Sequence, residues 1–398
     1  MARASGSASS ASTPNVRERW SRSIVARDSG RCAANDDGSD AGGTTLRTLE
    51  LGRGVRRSGE DRTYPDPMAR SALTLAALAT SAVAGLDVVG VQGFGSSGGG
   101  DFDAALLTGR DGRHWIVRVP RSERAEAEQS ADLVALRALS TGVRARLPFS
   151  VSSFAGQAPV AGTRAVVSEF VYGTKVPLAS LDAELGASIG RAIGAIHALP
   201  TSVVTDAGLP VHSAADGHRA ALALIDRAGA TGLVPAALLQ RWREAGTDAG
   251  LWQYTPVVIN GSLASDAFLS AEGAVTGVID WHGLRVGDPA LDLQWLVGAA
   301  EDTVDAAFDA YAAARGPLDL RLRQRAALVA ELEVARWLLH GTEVRATDIV
   351  DDAVEMMSRL VDDVHADASH PISPDTAPIL GLDEVRELLD RTENRRVG

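Results

Sequence analysis

The sequence has very little cysteine and lysine, and these absences exclude several classes of protein. Cys32 is the only cysteine in 398 residues, which excludes a disulfide framework and a thiolate metal site and is typical of the cytoplasm. Lys175 is the only lysine, and the net charge of −12 argues against a nucleic-acid-binding protein. No apolar run reaches roughly 18 residues, so no membrane-spanning segment is predicted.

The first and last parts of the chain have the composition of segments without a core. Residues 1–67 are rich in Ser, Gly, Ala, Arg and Asp and show no sustained apolar period. We expect a disordered extension, or upstream sequence translated from a start codon placed too early, with a regulatory or targeting tail as the alternative. Residues 366–398 predict a linker (366–380) followed by a tail with a short helix (382–392).

Residues 68–84 have two interpretations. One arginine, a short apolar run and a final Ala-Val-Ala imitate a secretory signal. The same residues read as an amphipathic helix, which would cluster on one side Leu73, Leu75, Ala76, Leu78 and Ala79. We favour the helix.

The pattern then changes from strands to helices. Strands are predicted at 86–92, 102–109, 114–120 and within 159–171, with a turn at Arg110-Asp111-Gly112. Helices are predicted at 121–140, 180–199, 215–228, 234–250, 288–300, 302–314, 320–344 and 347–365, with a β-like interval at 257–281. This order predicts an α+β, two-lobed protein, with an N-lobe at 68–170 and a C-lobe at 171–365.

A glycine-rich segment lies between the first two strands. Gly93, Gly95 and Gly98 match G-x-G-x-x-G. A dinucleotide fold needs a helix directly after the glycines, whereas a strand follows here. Strand, glycine loop and strand is the arrangement that covers ATP phosphates in kinases, with backbone groups of Gly93, Gly95 and Ser96 near the phosphates. A flexible hairpin tip is the alternative.

Arg118 ends the third strand, where the kinase pattern V-A-I-K has its lysine. An arginine also binds phosphates, and does so with two donors. The next helix offers Glu126, Glu128 and Asp132 to orient Arg118, and we choose Glu128. The alternative is an exposed charge at a strand end.

Three aspartates follow one another near the β-like interval. Asp280 ends the apolar strand Val278-Ile279, where an acid is costly unless it is paired or binds a metal. Asp288 precedes Pro289 and is a good helix N-cap. Asp292 lies one turn later, and we expect it to face back toward the loop before the strand.

At these residues the sequence resembles a known family. GVIDW at 277–281 with GDPALDL at 287–293 resembles the metal-binding segment of aminoglycoside and macrolide phosphotransferases, which are relatives of choline kinase. The resemblance extends over about 85–364 and includes residues 115–121 and the helix end at 194–200, where His197 is interpreted as a packing residue.

The resemblance implies a protein-kinase-like fold, a catalytic segment at 257–293, and ATP or GTP with Mg²⁺ as cofactors. It makes Asp280 the Mg²⁺ ligand. It makes Glu169 and Val171 the hinge that meets the base of the nucleotide. It also implies a small hydroxylated substrate, such as a macrolide or an aminoglycoside, in a pocket built by residues 200–250 and the helices after Asp288.

The catalytic loop departs from the family pattern H-G-D-L-x-x-x-N. Asn260 replaces the histidine, Ser262 the catalytic aspartate, and Ala267 the second metal ligand. A serine hydroxyl is no base near neutral pH, so a slow or inactive enzyme is expected. Asp266 is a candidate replacement base or ligand, and otherwise a solvated loop acid. The alternatives to a slow phosphotransferase are a pseudokinase-like protein that acts by binding, and a degenerate fold without a nucleotide.

Overall fold

The structure is a computed structural model that describes residues 70–95, 100–316 and 319–366. The predictions for residues 1–67, for Ser96 and for the helix at 382–392 lie outside the described residues. Within them, a sheet-containing N-lobe is followed by a helical C-lobe, as expected. No helix in the described ranges is long and apolar enough to cross a membrane.

The N-lobe is built on one antiparallel sheet. It contains α1 (Ala72–Ala82), β1 (Val88–Gly93), β2 (Phe102–Gly109), β3 (His114–Pro120), α2 (Glu123–Ala138), α3 (Thr141–Arg144), β4 (Phe154–Val160) and β5 (Thr163–Glu169). The strand order is β1-β2-β3-β5-β4. Along β2 and β3 buried and half-buried residues alternate, so that Leu107 and Val117 point to one face. Leu75 and Ala79 of α1 are buried in the cluster on that face. The helix predicted within residues 68–84 therefore forms at Ala72–Ala82, but Leu73, predicted on its apolar side, is 73% exposed.

The sequence did not reveal β4, the strand that forms a hairpin with β5. β4 contains Gly156 and Pro159, which normally argue against a strand. Both have a structural reason: β4 is an edge strand, which is where a sheet tolerates a proline such as Pro159. A Cβ at Gly156 would lie 2.2 Å from the carbonyl oxygen of Ala82, so α1 packs there only against a glycine.

The C-lobe is mainly helical. Its helices are α4 (Ala183–His197), α5 (Ser202–Thr205), α6 (Ala214–Ala230), α7 (Ala236–Thr247), α8 (Ala290–Leu293), α9 (Glu301–Arg315), α10 (Leu322–Val344) and α11 (Thr347–Ala366), with 3-10 turns at Leu178–Ser180, Ser265–Ala267 and Gln294–Gly298. Two short antiparallel strand pairs carry the catalytic segment: β6 (Val257–Ile259) pairs with β9 (Arg285–Gly287), and β7 (Phe268–Ala271) forms a hairpin with β8 (Ala274–Val278).

The C-lobe core forms around α4 and α9. A Cβ at Gly190 would lie 2.0 Å from the carbonyl oxygen of Ala307, so the two helices approach with their backbones almost in contact. Trp281 and Trp295 are each 1% exposed in the same core.

The single helix predicted at 288–300 is wrong in detail. The segment forms the short helix α8 and then a 3-10 turn. The Trp295 indole N–H donates to the carbonyl oxygen of Asp292, and the Asp292 side chain turns toward β6. The helix periodicity of the segment therefore did not predict where its regular helix ends.

Candidate active site

Asp280 lies directly after β8 in a strained backbone conformation. Its φ is +60°, in the left-handed region that non-glycine residues seldom adopt. Strain of this kind persists only when the surroundings hold it in place, and the next peptide does so: the Trp281 N–H donates to Oδ1 of Asp132 at 2.7 Å. The Asp280 carboxylate is one-third exposed and faces a cleft between the lobes.

Arg118 bridges two carboxylates in this cleft. Its guanidinium lies 3.8 Å from Asp132 and 3.8 Å from Asp280. The choice of Glu128 as its partner is corrected by these distances, because Glu128 binds Arg124 at 2.8 Å one turn earlier on α2. Asp132 lies one helical turn after Glu128, where α2 approaches β3. Burial raises the pKa of Asp132, and the charge of Arg118 opposes that rise.

The cleft has a volume of about 190 Å³. Its lining includes Gly100, Arg118, Asp132, Asp266 and Asp280, with Glu128 also present at the wall. Gly93 and Gly95 precede it on the glycine-rich segment, and Gly95 has a φ of +93° that suits glycine. Neither lines the cleft itself, and their role in binding phosphates stays a prediction.

The predicted hinge lies between the sheet and the helical lobe. Glu169 is the last residue of β5; its carboxylate pairs with Arg113, and its carbonyl oxygen accepts a hydrogen bond from Oγ of Ser152 at 3.0 Å. Val171 is 8% exposed and packs close to Gly277. These contacts fix the segment that leads from β5 into the C-lobe. The contact of Glu169 and Val171 with a nucleotide base stays a prediction.

Asp292 holds the backbone of the catalytic loop, as expected from the sequence. The two carboxylate oxygens of Asp292 accept the N–H groups of Asn260 at 2.8 Å and Gly261 at 2.7 Å. His197 adds a third bond through Nε2 at 3.1 Å, and its Nδ1 lies 2.9 Å from the hydroxyl of Tyr311. His197 is thus more than a packing residue, because it orients the aspartate that fixes the loop.

Ser262 occupies the position of the catalytic aspartate, with its hydroxyl inside the protein's own hydrogen bonds. Its Oγ lies 2.7 Å from the carbonyl oxygen of Asp280 and 2.8 Å from Oδ1 of Asn260. The Ser262 N–H also donates to Oδ1 of Asn260, which fixes the orientation of that amide. Nδ2 of Asn260 is buried and has no hydrogen-bond partner among the described residues. The loop geometry is complete, but no carboxylate stands at position 262.

Asp266 and Ala267 differ in what they offer the cleft. Ala267 is 1% exposed and has no side-chain oxygen, and its carbonyl accepts the Ile279 N–H at 2.9 Å. Asp266 lines the cleft and lies 3.7 Å from Nζ of Lys175. The sequence did not indicate Lys175 as a neighbour of Asp266, because no local pattern shows that the segment between β5 and α4 reaches this loop.

The cleft offers oxygen ligands of the kind that Mg²⁺ prefers. Within the described residues no group of three His, Cys, Asp or Glu side chains is arranged to hold a metal ion. Mg²⁺ needs fewer in nucleotide enzymes, where one or two carboxylates act together with the phosphates. Asp280, one-third exposed beside Arg118, fits that limited role.

A second cavity lies on the other side of the catalytic loop. It has a volume of about 550 Å³. It is lined by Tyr254 and by residues of 212–220, 261–264, 285–294 and 333–336. Ser262 opens into this cavity, whereas Asp266 and Asp280 line the cleft. The segments that form it are those expected to build a substrate pocket. Trp281, Trp295 and Trp337 do not line it.

Comparisons with known proteins agree with this arrangement. The model of a family described as the phosphotransferase enzyme family matches residues 95–329. A comparison with curated proteins gives no match.

Several solved structures share the fold. Macrolide 2'-phosphotransferase MphH from Brachybacterium faecium, an apoenzyme, aligns with a TM-score of 0.60 and 22% identity over 72% of this chain and 97% of its own. A macrolide 2'-phosphotransferase of type I aligns with a TM-score of 0.57 and 24% identity, over 72% and 95%. The GDP and kanamycin complex of APH(2")-IIia aligns with a TM-score of 0.59 and 21% identity, over 73% and 99%.

The family model covers more than half of the chain, and the solved phosphotransferases share its sheet lobe and helical lobe. This protein therefore belongs to the phosphotransferase enzyme family and has its kinase-like fold.

Proposed function

We propose that this protein binds a magnesium–nucleotide complex, of ATP or GTP, in the cleft and transfers its terminal phosphoryl group to a hydroxylated small molecule only slowly. The observation that carries the proposal is the pairing of an intact charged cleft with Ser262. Solved relatives include GDP complexes, which supports a nucleotide in the cleft.

On the nucleotide side, the retained residues supply charge and position. Arg118 offers its guanidinium to phosphate oxygens, and Asp132 and Asp280 hold it between the lobes. Mg²⁺ bound at Asp280 would neutralise negative charge on the phosphates. Phosphoryl transfer rests mainly on such positioning and charge neutralisation, so this side of the site retains the larger part of what the reaction needs.

On the acceptor side, the loss of the base slows the transfer. A hydroxyl that attacks phosphorus must give up its proton, and the Ser262 hydroxyl already donates within the loop. General-base catalysis typically contributes about 10²–10⁴ in rate, and this factor is what position 262 no longer supplies. Asp266 is the one carboxylate close by in the loop, but it is engaged with Lys175.

A second candidate function, binding without turnover, is favoured by Ala267. Its side chain is buried and offers no metal ligand, so Asp280 would hold Mg²⁺ with less help. In that case the protein is a pseudokinase-like nucleotide- or small-molecule-binding protein. A macrolide, an aminoglycoside or another hydroxylated metabolite remains the proposed class of small molecule for both functions, in the cytoplasm.

Thermal unfolding of the full chain with Mg²⁺ and ATP or GTP tests the common part of both functions. Ligand at 100 times its dissociation constant adds about 2.7 kcal/mol to the free energy of unfolding. We expect a magnesium-dependent rise in the melting temperature with at least one nucleotide, and a smaller rise in Arg118→Ala. No rise with either nucleotide at millimolar concentration would refute phosphotransfer and nucleotide binding. Where a rise occurs, steady-state phosphate transfer to a panel of hydroxylated compounds separates the two functions.

A further inference from the structure

The cavity beyond the catalytic loop, called the acceptor cavity below, carries more charge than a pocket for an apolar substrate needs. It is the cavity of about 550 Å³ into which Ser262 opens. Three carboxylates and two arginines line it, namely Asp216, Asp288, Glu333, Arg285 and Arg336. Its ligand preference depends on which of these charges the protein already neutralises.

Each of the three carboxylates has a cation of its own. Asp288 is bound by the fully buried Arg325, with its Nε 2.8 Å from Oδ2. Glu333 pairs with Arg336 on the same helix. The third pairing is at the start of α6.

Asp216 lies in the first turn of α6. It accepts the N–H of Ser213 at 2.8 Å and pairs with Arg219 one turn later. No lining carboxylate of the cavity is therefore left as an unpaired anion that would call for a cationic ligand.

Arg285 is the exception among the charges that line the acceptor cavity. Its Nη1 donates to the carbonyl oxygens of Gly283 at 2.9 Å and Gly261 at 3.5 Å. Within the described residues no carboxylate lies within 4.0 Å of its guanidinium, and its Nε and Nη2 have no hydrogen-bond acceptor. Burial lowers its pKa, and the charge of Asp292 opposes that shift.

A second polar group in the cavity also lacks a partner. Gln294 is 9% exposed and lines the same cavity, and its buried Oε1 has no hydrogen-bond partner in the part of the chain that the structure describes. A buried acceptor without a donor is costly unless a ligand or water supplies one. Arg285 thus offers unused donors, and Gln294 an unused acceptor, on the side of the loop that Ser262 faces.

We propose that the acceptor cavity binds a hydroxylated carboxylic acid, whose carboxylate lies on Arg285 and whose hydroxyl or amine donates to Gln294. A guanidinium binds a carboxylate with two parallel hydrogen bonds, and these are stronger than bonds between neutral groups. A polycationic ligand would place like charge beside Arg285. The inference rests on the proposed function, since it takes this cavity as the place of the phosphate acceptor.

Matched pairs of small molecules test the charge preference directly. The full chain is titrated by calorimetry and thermal unfolding with glycerate against glycerol, threonate against erythritol, and gluconate against sorbitol. Each pair has the same number of carbons and differs in the carboxylate. We expect at least one acid to bind about tenfold or more tightly than its polyol, as charge-assisted bonds to a half-buried guanidinium predict.

Variants assign that preference to the residue. Arg285→Gln should abolish the preference for the acid, and Arg285→Lys should keep part of it. Arg227→Gln is the matched control, because Arg227 is an exposed arginine that pairs with Glu343 away from the cavity; it should bind like the wild type. Equal binding of acids and polyols, no binding of any acid at 10-millimolar order of concentration, or an unchanged preference in Arg285→Gln would each overturn the proposal.

Nucleotide binding by the same variants separates this inference from the proposed function. We expect Arg285→Gln to keep the full rise in melting temperature with Mg²⁺ and nucleotide, because Arg285 lies outside the cleft. Loss of that rise in Arg285→Gln alone would mean that Arg285 binds a nucleotide phosphate, which contradicts the proposal. A wild-type protein that prefers the acids but binds no nucleotide would support the anion site and refute phosphotransfer.

Discussion

The two sides of the catalytic loop differ in the side chains that they carry. On the side of the cleft, Arg118 lies between Asp132 and Asp280, and the three side chains form a charged cluster. On the side of the acceptor cavity, position 262 carries a serine where the family pattern has an aspartate, while Asp292 holds the loop backbone with two short hydrogen bonds. The difference teaches that the geometry of an active site and its proton-transfer chemistry are separable, because backbone bonds maintain one and a single side chain supplies the other.

Restoring the family residues should have the largest effect. We expect Ser262→Asp with Ala267→Asn to raise the rate of phosphate transfer by about 10²–10⁴, because a base and a metal ligand return to a loop whose backbone is already in place. The measurement is the rate at which labelled phosphate is transferred from ATP and GTP to water and to hydroxylated acceptors. Ser262→Ala is the control and should give no increase. A wild-type rate equal to that of the double variant would mean that another group, with Asp266 first, accepts the proton.

The sequence predicted those parts of the fold in which one local pattern decides the outcome. The alternation of residues 102–109 and 114–120 matches β2 and β3 at both ends. The position of Asp292 one turn after Asp288 correctly indicated a side chain that faces back to the loop.

Features that depend on several segments meeting in space were not predictable. Glu128 and Asp132 lie on the same face of α2, and only the approach of β3 decides that Asp132 receives Arg118. Arg285 belongs to a strand of three residues. Its Nη1 donates to the carbonyl oxygens of Gly261 and Gly283, which come together only in the folded protein. No periodicity in the chain records either arrangement.

Breaking the support of the loop should destabilise the whole C-lobe. Asp292→Ala leaves the N–H groups of Asn260 and Gly261 and the ring of His197 without their buried acceptor. Each such group costs about 1–3 kcal/mol, so we expect the free energy of unfolding to fall by at least about 3 kcal/mol in urea titrations. Asp305→Ala removes an exposed carboxylate that pairs with Arg323 and should change it by less than about 1 kcal/mol. Similar losses in both variants would show that Asp292 does not carry the loop.

Releasing Arg118 should weaken the nucleotide side without disturbing the acceptor side. Asp132→Asn removes one of the two charges beside Arg118, and we expect roughly tenfold weaker binding of the magnesium–nucleotide complex by calorimetry. Glu128→Gln is the matched comparison on the same helix and should change the dissociation constant less than about twofold. Stronger weakening in Glu128→Gln than in Asp132→Asn would restore Glu128 as the partner of Arg118.

The smallest expected effect is the pH dependence that Asp132 adds to stability. Burial raises the pKa of Asp132, so the folded protein holds this proton more tightly than the unfolded chain does. The resulting contribution to stability is complete below the unfolded pKa of about 3.9, and it is lost as the pH rises through the raised folded pKa. Asparagine resembles the protonated acid at every pH and keeps an oxygen for the Trp281 N–H. The stability of Asp132→Asn relative to wild type should therefore rise with pH above about 4 and then level off, as unfolding curves at a series of pH values would show. A difference that stays constant or falls over this range would mean that Arg118 outweighs burial and keeps the carboxylate ionised.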